Sequence, residues 1–221
     1  MTSRLTYSVA IAISMLLPGI PAVPAQNPTP WINEIHYDNA GTDVAEFVEI
    51  AVPTGFAESA AVRLTLYNGG DGRPYGSAHL LETFQRGQSS DGYTIYWKLI
   101  SGIQNGAPDG MSLDVDGGTV DFISYEGSFA ASAGPAAGFS SRELGVFELD
   151  TQPAGGSLGR TGTGATADDF LWQAMAESSP GQWNAGQWVV PEPGVRVLAG
   201  VGGMALWISR KRRAVAAAGR T

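Results

Sequence analysis

The sequence has no cysteine in 221 residues and only two histidines, His36 and His79. Without thiols there is no disulfide framework, no thiolate nucleophile and no cysteine-ligated metal. The two histidines lie far apart and form no His-x-x-x-His pair, so they give little basis for a zinc hydrolase or a histidine general base. His36 instead reads as a residue packed beside Tyr37 on a strand. Cations are also scarce through most of the chain. Residues 26–189 carry 6 basic side chains against 20 acidic ones. Binding a phosphate backbone needs clustered Lys and Arg, so this balance argues against a nucleic-acid partner. Helical periodicity is nearly missing, and no period of roughly 20–50 residues repeats, which argues against a solenoid.

What is present is turn chemistry and short apolar runs. There are 30 glycines and 13 prolines, and 43% of residues are hydrophobic. About 165 residues remain once the two unusual ends are set aside, enough for one domain with its own core.

The N-terminal end, residues 1–25, reads as a secretory signal. Arg4 supplies the positive n-region, residues 9–17 the apolar h-region, and Val23-Pro24-Ala25 the small residues for cleavage before Gln26. Ile20-Pro21-Ala22 is a second cleavage candidate. Residues 26–30 follow as a linker.

Residues 31–188 read as strands separated by turns. Ile32, Glu34 and His36 alternate with Asn33, Ile35 and Tyr37, and Phe47, Val48 and Ile50 flank Glu49. Further strands are expected over residues 64–70, 93–100, 111–115 and 119–125. Asp116-Gly117-Gly118 suits a tight hairpin turn. That hairpin is also the simplest reading of Asp114, Asp116 and Asp121. Residues 128–141 (SFAASAGPAAGFSS) form a small-residue loop. The count is about eight short strands with regular turn signals, an all-β sandwich pattern.

Three short motifs in this region resemble bacterial lamin-tail-like domains. They are Ile32-Asn33-Glu34-Ile35, then Glu46-Phe47-Val48-Glu49, and a closing Ser178-Ser179-Pro180-Gly181 followed by Asn184. The resemblance covers residues 31–187 and implies an immunoglobulin-like β-sandwich. The subtype is one that, in other bacterial proteins, sits beside extracellular nuclease or phosphoesterase domains.

Residues 189–213 read VVPEPGVRVLAGVGGMALWISRKRR. Pro191-Glu192-Pro193 is stiff and non-helical. An apolar run follows, and Arg210, Lys211, Arg212 and Arg213 end it. An apolar helix closed by cations reads as a membrane segment with its basic end in the cytoplasm. The run is shorter than the about 20 apolar residues that span a bilayer, and Arg196 must snorkel. The other reading is a short amphipathic or buried helix with a basic tail. The order of parts resembles the PEP-CTERM sorting signal of Gram-negative bacteria. The resemblance implies one C-terminal transmembrane helix at residues 195–209, a residual tail at 214–221, and processing by an exosortase-type membrane protease. The Sec machinery is the export partner implied by the N-terminal signal.

Candidate chemistry is sparse. Asp38, Asn39, Asp43 and Glu46 bring oxygen ligands close together, as a Ca²⁺ loop would. Their spacing does not follow the EF-hand, and turn residues with strand-edge carboxylates are the simpler reading. Ca²⁺ is the one cofactor this pattern suggests. Gly155-Gly156-Ser157-Leu158-Gly159 spells Gly-x-Ser-x-Gly, but the Gly-rich residues after it cannot start the helix a nucleophile elbow needs. Trp183 and Trp188, in a glycine-rich stretch, are expected at the surface. The expectation is an exported, non-enzymatic surface or extracellular-matrix protein with a binding or structural role, its partner a polysaccharide or surface protein. The alternative is an accessory module of an extracellular hydrolase or a divergent nuclease.

Overall fold

The computed structural model describes residues 28–56 and 61–190. The expected signal and the sorting tail, with Pro191, Glu192, Pro193, Arg210, Lys211, Arg212 and Arg213, lie outside them. Among the described residues there are twelve strands, and the only helical pieces are two short 3-10 turns, Leu81–Thr83 and Ala167–Asp169. The strands are β1 (Trp31–His36), β2 (Phe47–Pro53), β3 (Val62–Asn68), β4 (Arg73–Leu80), β5 (Gln85–Ser90) and β6 (Tyr93–Leu99). They continue with β7 (Asp109–Val115), β8 (Gly118–Tyr125), β9 (Arg142–Glu143), β10 (Ser157–Gly164), β11 (Leu171–Met175) and β12 (Gln187–Val189).

They form two sheets. One runs β11-β10-β1-β2-β6-β5, with β12 beside β10, and the other runs β4-β3-β7-β8-β9. Successive hairpins alternate between the sheets: β1-β2 in the first, β3-β4 in the second, β5-β6 in the first, β7-β8 in the second. The fold is therefore all-β and two-layered, as the strand pattern implies.

Period-two alternation builds the central core. Ile32, Ile35, Val48, Ile50 and Val52 of the first sheet meet Leu64, Leu66, Met111, Leu113 and Ile123 of the second. Burying each such side chain stabilises the fold by about 1.5–3 kcal/mol. The β1-β2 register shifts between Ile32 and Glu34. That irregularity lets Ile32 and Ile35 face the same core despite their odd spacing.

Both outer faces are also covered. Trp31, Ala51, Tyr93, Ile95, Phe170 and Val189 make a second cluster on the far side of the first sheet. The small-residue loop folds over the second sheet, where Ala131 and Ala136 pack on Tyr67 and Phe122. Tyr67 Oη there accepts a 3.0 Å hydrogen bond from Ala136 N. The Asp116-Gly117 pair takes φ of 49° and 86°, the left-handed geometry of a type I′ hairpin. Of the three aspartates assigned to that hairpin, only Asp116 is in the turn. Asp114 and Asp121 are buried on β7 and β8. Alternation does not reveal this, because both faces of these strands are covered.

Candidate functional site

Most of the polar residues singled out in the sequence fall in two places, an acidic loop after β1 and a buried seam along the outer face of β1 and β2.

In the acidic loop, Asp38 and Asn39 are buried. Asn39 Nδ2 donates to the carbonyls of Ala40 and Thr42, and its Oδ1 accepts from Val44 N at 3.0 Å. Asp43 Oδ1 accepts from Asn39 N at 3.3 Å, and Asn105 Nδ2 approaches Asp43 Oδ2 at 3.4 Å. The Asp38 carboxyl is pushed up by burial and by the nearby Asp43 and Asp150, with Asn105 acting against them. Glu46 is turned elsewhere. Its two oxygens accept from Gly102 N and Ile103 N, both at 2.8 Å. So Asp38, Asp43 and Asn105 come together, while Asn39 ties its own loop and Glu46 braces the turn after β6. Asn105 lies far along the chain, and no local spacing pointed to it. Among the described residues no group of three or more His, Asp or Glu side chains is arranged to hold a metal ion.

His36 ends β1 with both ring nitrogens engaged. Nδ1 is 2.8 Å from Glu148 Oε1, and Nε2 is 3.2 Å from the Val44 carbonyl. Burial works against the charged imidazole. The Glu148 hydrogen bond and charge outweigh it and hold the His36 pKa above its ordinary value. Glu148 Oε2 also accepts from Tyr37 N and Asp38 N, at 2.6 and 3.0 Å. His36 and Glu148 together therefore fix where β1 ends and the acidic loop begins.

The seam is built from the three motifs of the resemblance. Asn33 and Glu34 sit on β1, Glu49 sits opposite Glu34 on β2, and residues 178–187 lie across them. Glu34 Oε1 accepts from Ser157 Oγ at 2.5 Å and Ser179 N at 2.9 Å, and its Oε2 accepts from Ser179 Oγ at 2.8 Å. Glu49 accepts from Asn33 Nδ2 at 3.0 Å and from Gly181 N at 2.7 Å. Asn184 Nδ2 donates to the carbonyls of Asn33 and Arg160, at 3.1 and 3.0 Å. Gln187 and Asn33 exchange side-chain hydrogen bonds at 2.7 and 3.2 Å. Burial pushes Glu34 above the usual carboxylate range despite its serine donors. Burial pushes Glu49 well above that range, and the negative charge of Glu34 adds to it.

Gly181 is required at its place. Its φ is +86°, and an added Cβ would lie 2.9 Å from Trp97 Nε1. Only glycine combines that backbone angle with so little room. Ser157, the serine of the Gly-x-Ser-x-Gly match, opens β10 and is buried against Glu34, so the match is not a nucleophile elbow. Trp188 is 64% exposed. Trp183 is not free, being packed on the Trp31 cluster.

The fold and the seam define a two-sheet, all-β domain sealed by its own last strand. Compared with protein-family models, curated proteins and solved structures, the chain matches none.

Proposed function

We propose that this chain is an exported, non-enzymatic protein whose body is an immunoglobulin-like sandwich of the lamin-tail type. In this reading a PEP-CTERM tail sorts it to the cell surface or extracellular matrix, where its role is binding or structural. One observation carries the reading. The three motifs that bear the lamin-tail resemblance, widely separated in sequence, meet in one buried seam at Glu34, Glu49 and Asn184. Their meeting in one seam supports a shared structural role for the three motifs. The role of the buried carboxylates supports a structural assignment. Glu34, Glu49, Glu148 and Asp121 are all occupied by backbone amides, hydroxyls, amides or cations of the fold itself.

The strongly acidic body fits an extracellular domain better than one that binds polyanions. Sec export, an exosortase-type protease and a surface polysaccharide or protein are the partners of this reading. Glu192→Ala tests it. The uncut form should accumulate in the membrane fraction of the native host, and normal processing of this variant would refute the sorting role. Incubating the purified protein with plasmid DNA and Mg²⁺ or Ca²⁺ tests the nuclease alternative. No cleavage is expected. Cleavage lost on changing Asp38 or Glu46 would replace this reading.

A further inference from the structure

Glu34 and Glu49 are cross-strand partners on β1 and β2, and each is fully buried. Such partners share a face of the sheet, with Cβ atoms about 5 Å apart. Among the described residues no cation bonds to either one. Their donors are Ser157 Oγ and Asn33 Nδ2 from the sheet, and Ser179 N, Ser179 Oγ and Gly181 N from the closing segment. The remaining charged groups on the elements packed here are committed elsewhere. Glu148 holds His36, Arg160 holds Asp121, Lys98 donates to Thr83, Arg86 donates to Ser89, and Glu177 is exposed.

Two carboxylates this close, away from water, cannot both ionise without strong repulsion. Apolar residues would fill the same space at lower cost. When the closing segment is docked, water is excluded and the pair favours holding one proton on one of the two carboxyls. When it lifts, both carboxylates are hydrated and both ionise. Docking and proton uptake are therefore linked.

We propose that residues 176–190 are a proton-dependent latch, docked on β1, β2 and β10 when the Glu34–Glu49 pair holds a proton and released when both ionise. The latch leads directly to the tail. β12 ends at Val189, and Val190 N donates to Gly164 O at 2.8 Å, one residue before Pro191. Docking fixes residue 190 on the domain, and release lets it move by up to about 3.3 Å per freed residue. That consequence for processing rests on the sorting reading. The latch itself does not.

Hydrogen exchange of the purified, uncleaved chain in detergent, compared at about pH 5.5 and about pH 8 after correction for intrinsic rates, tests the latch. Protection across residues 177–190 should fall at the higher pH, by about tenfold for each pKa unit that docking adds to the pair. Core amides such as Ile35 and Val48 should stay protected. Glu49→Gln and Glu34→Gln should each flatten the dependence. Equal protection of the segment at both pH values overturns the latch, and so does an unchanged dependence in both variants. If the variants do not fold, carboxyl ¹³C titration of the unaltered chain decides. A Glu34–Glu49 pair titrating within the ordinary glutamate range would overturn it. Because the chain is uncleaved, these outcomes do not depend on whether the tail is a sorting signal.

Discussion

Arg160 reaches from β10 in one sheet to Asp121 on β8 in the other, with Nη2 and Oδ2 3.0 Å apart. Its side chain is 1% exposed. Its Nε and Nη1 donate to the carbonyls of Ile32 and Ala167, each at 2.7 Å. Asp121 Oδ2 also accepts from Ile32 N at 3.1 Å. One ion pair thus fastens both sheets and the chain around Ala167. Arg160 stacks on Trp172 as well, with Cζ 4.8 Å from the ring centroid.

Arg142, 44% exposed, also reaches Asp121, with Nη2 3.2 Å from Oδ1. Removing Arg160 therefore leaves Asp121 with that one half-exposed cation, whereas removing Asp121 leaves Arg160 buried without a carboxylate. Asp121→Asn should destabilise by about 3–5 kcal/mol in urea unfolding, Arg160→Met by less, and the two together by less than the sum of the single changes. Additive losses would mean that the two residues do not act as a pair.

The pH dependence has a definite sign. Glu34 and Glu49 are raised above the ordinary carboxylate value by burial. The native state therefore holds a proton that the unfolded chain gives up near pH 4.5, the usual glutamate value. The contribution is fully present below that value and is lost as pH rises through the raised ones. His36, raised by Glu148, acts in the same direction, its contribution present below 6.5 and lost as pH rises through its folded value. The melting temperature should therefore be higher at about pH 5.5 than at about pH 8, a difference that shrinks in Glu49→Gln. A melting temperature that climbs toward pH 8 would contradict the seam's electrostatics.

Asn184 is 3% exposed and satisfies two buried carbonyls. Asn184→Ala should cost about 1–3 kcal/mol by denaturant titration, because the carbonyls of Asn33 and Arg160 lose their donor. Gly181→Ala should also destabilise, by more than about 1 kcal/mol, since it combines a positive φ with a clash against Trp97.

Glu46 separates bracing from metal binding. Its carboxylate holds the Gly102 and Ile103 amides. Glu46→Gln should lower the melting temperature equally in EDTA and in millimolar Ca²⁺. A penalty seen only with Ca²⁺ present, and lost in Asp38→Ala/Asp43→Ala, would make Glu46 a calcium ligand.

The strands that could be read from sequence were those with an apolar face on the central core. In β1, β2, β3, β6, β7 and β8, aliphatic and aromatic residues recur at strand spacing. β4 and β5 carry no such stripe, because they are the exposed edges of their sheets. β10 lies inside its sheet yet reads SLGRTGTG. Its glycines serve close packing: a Cβ on Gly159 would lie 2.9 Å from Asn184 Nδ2. Glycine for contact and glycine for a turn look alike in a sequence. The seam was half legible. Its three motifs stood out, but nothing local indicated that Glu34 and Glu49 are buried face to face, since that depends on a segment more than a hundred residues later. The same holds for Asn105 beside Asp43.

We propose that the acidic body is released from its basic C-terminal end at Pro191-Glu192-Pro193. Intact-mass analysis of the protein recovered from the surface of its native host tests it most directly. The expected species begins near Gln26, ends close to residues 191–193 and lacks Arg210, Lys211, Arg212 and Arg213. A surface species that still carries those four residues would contradict it.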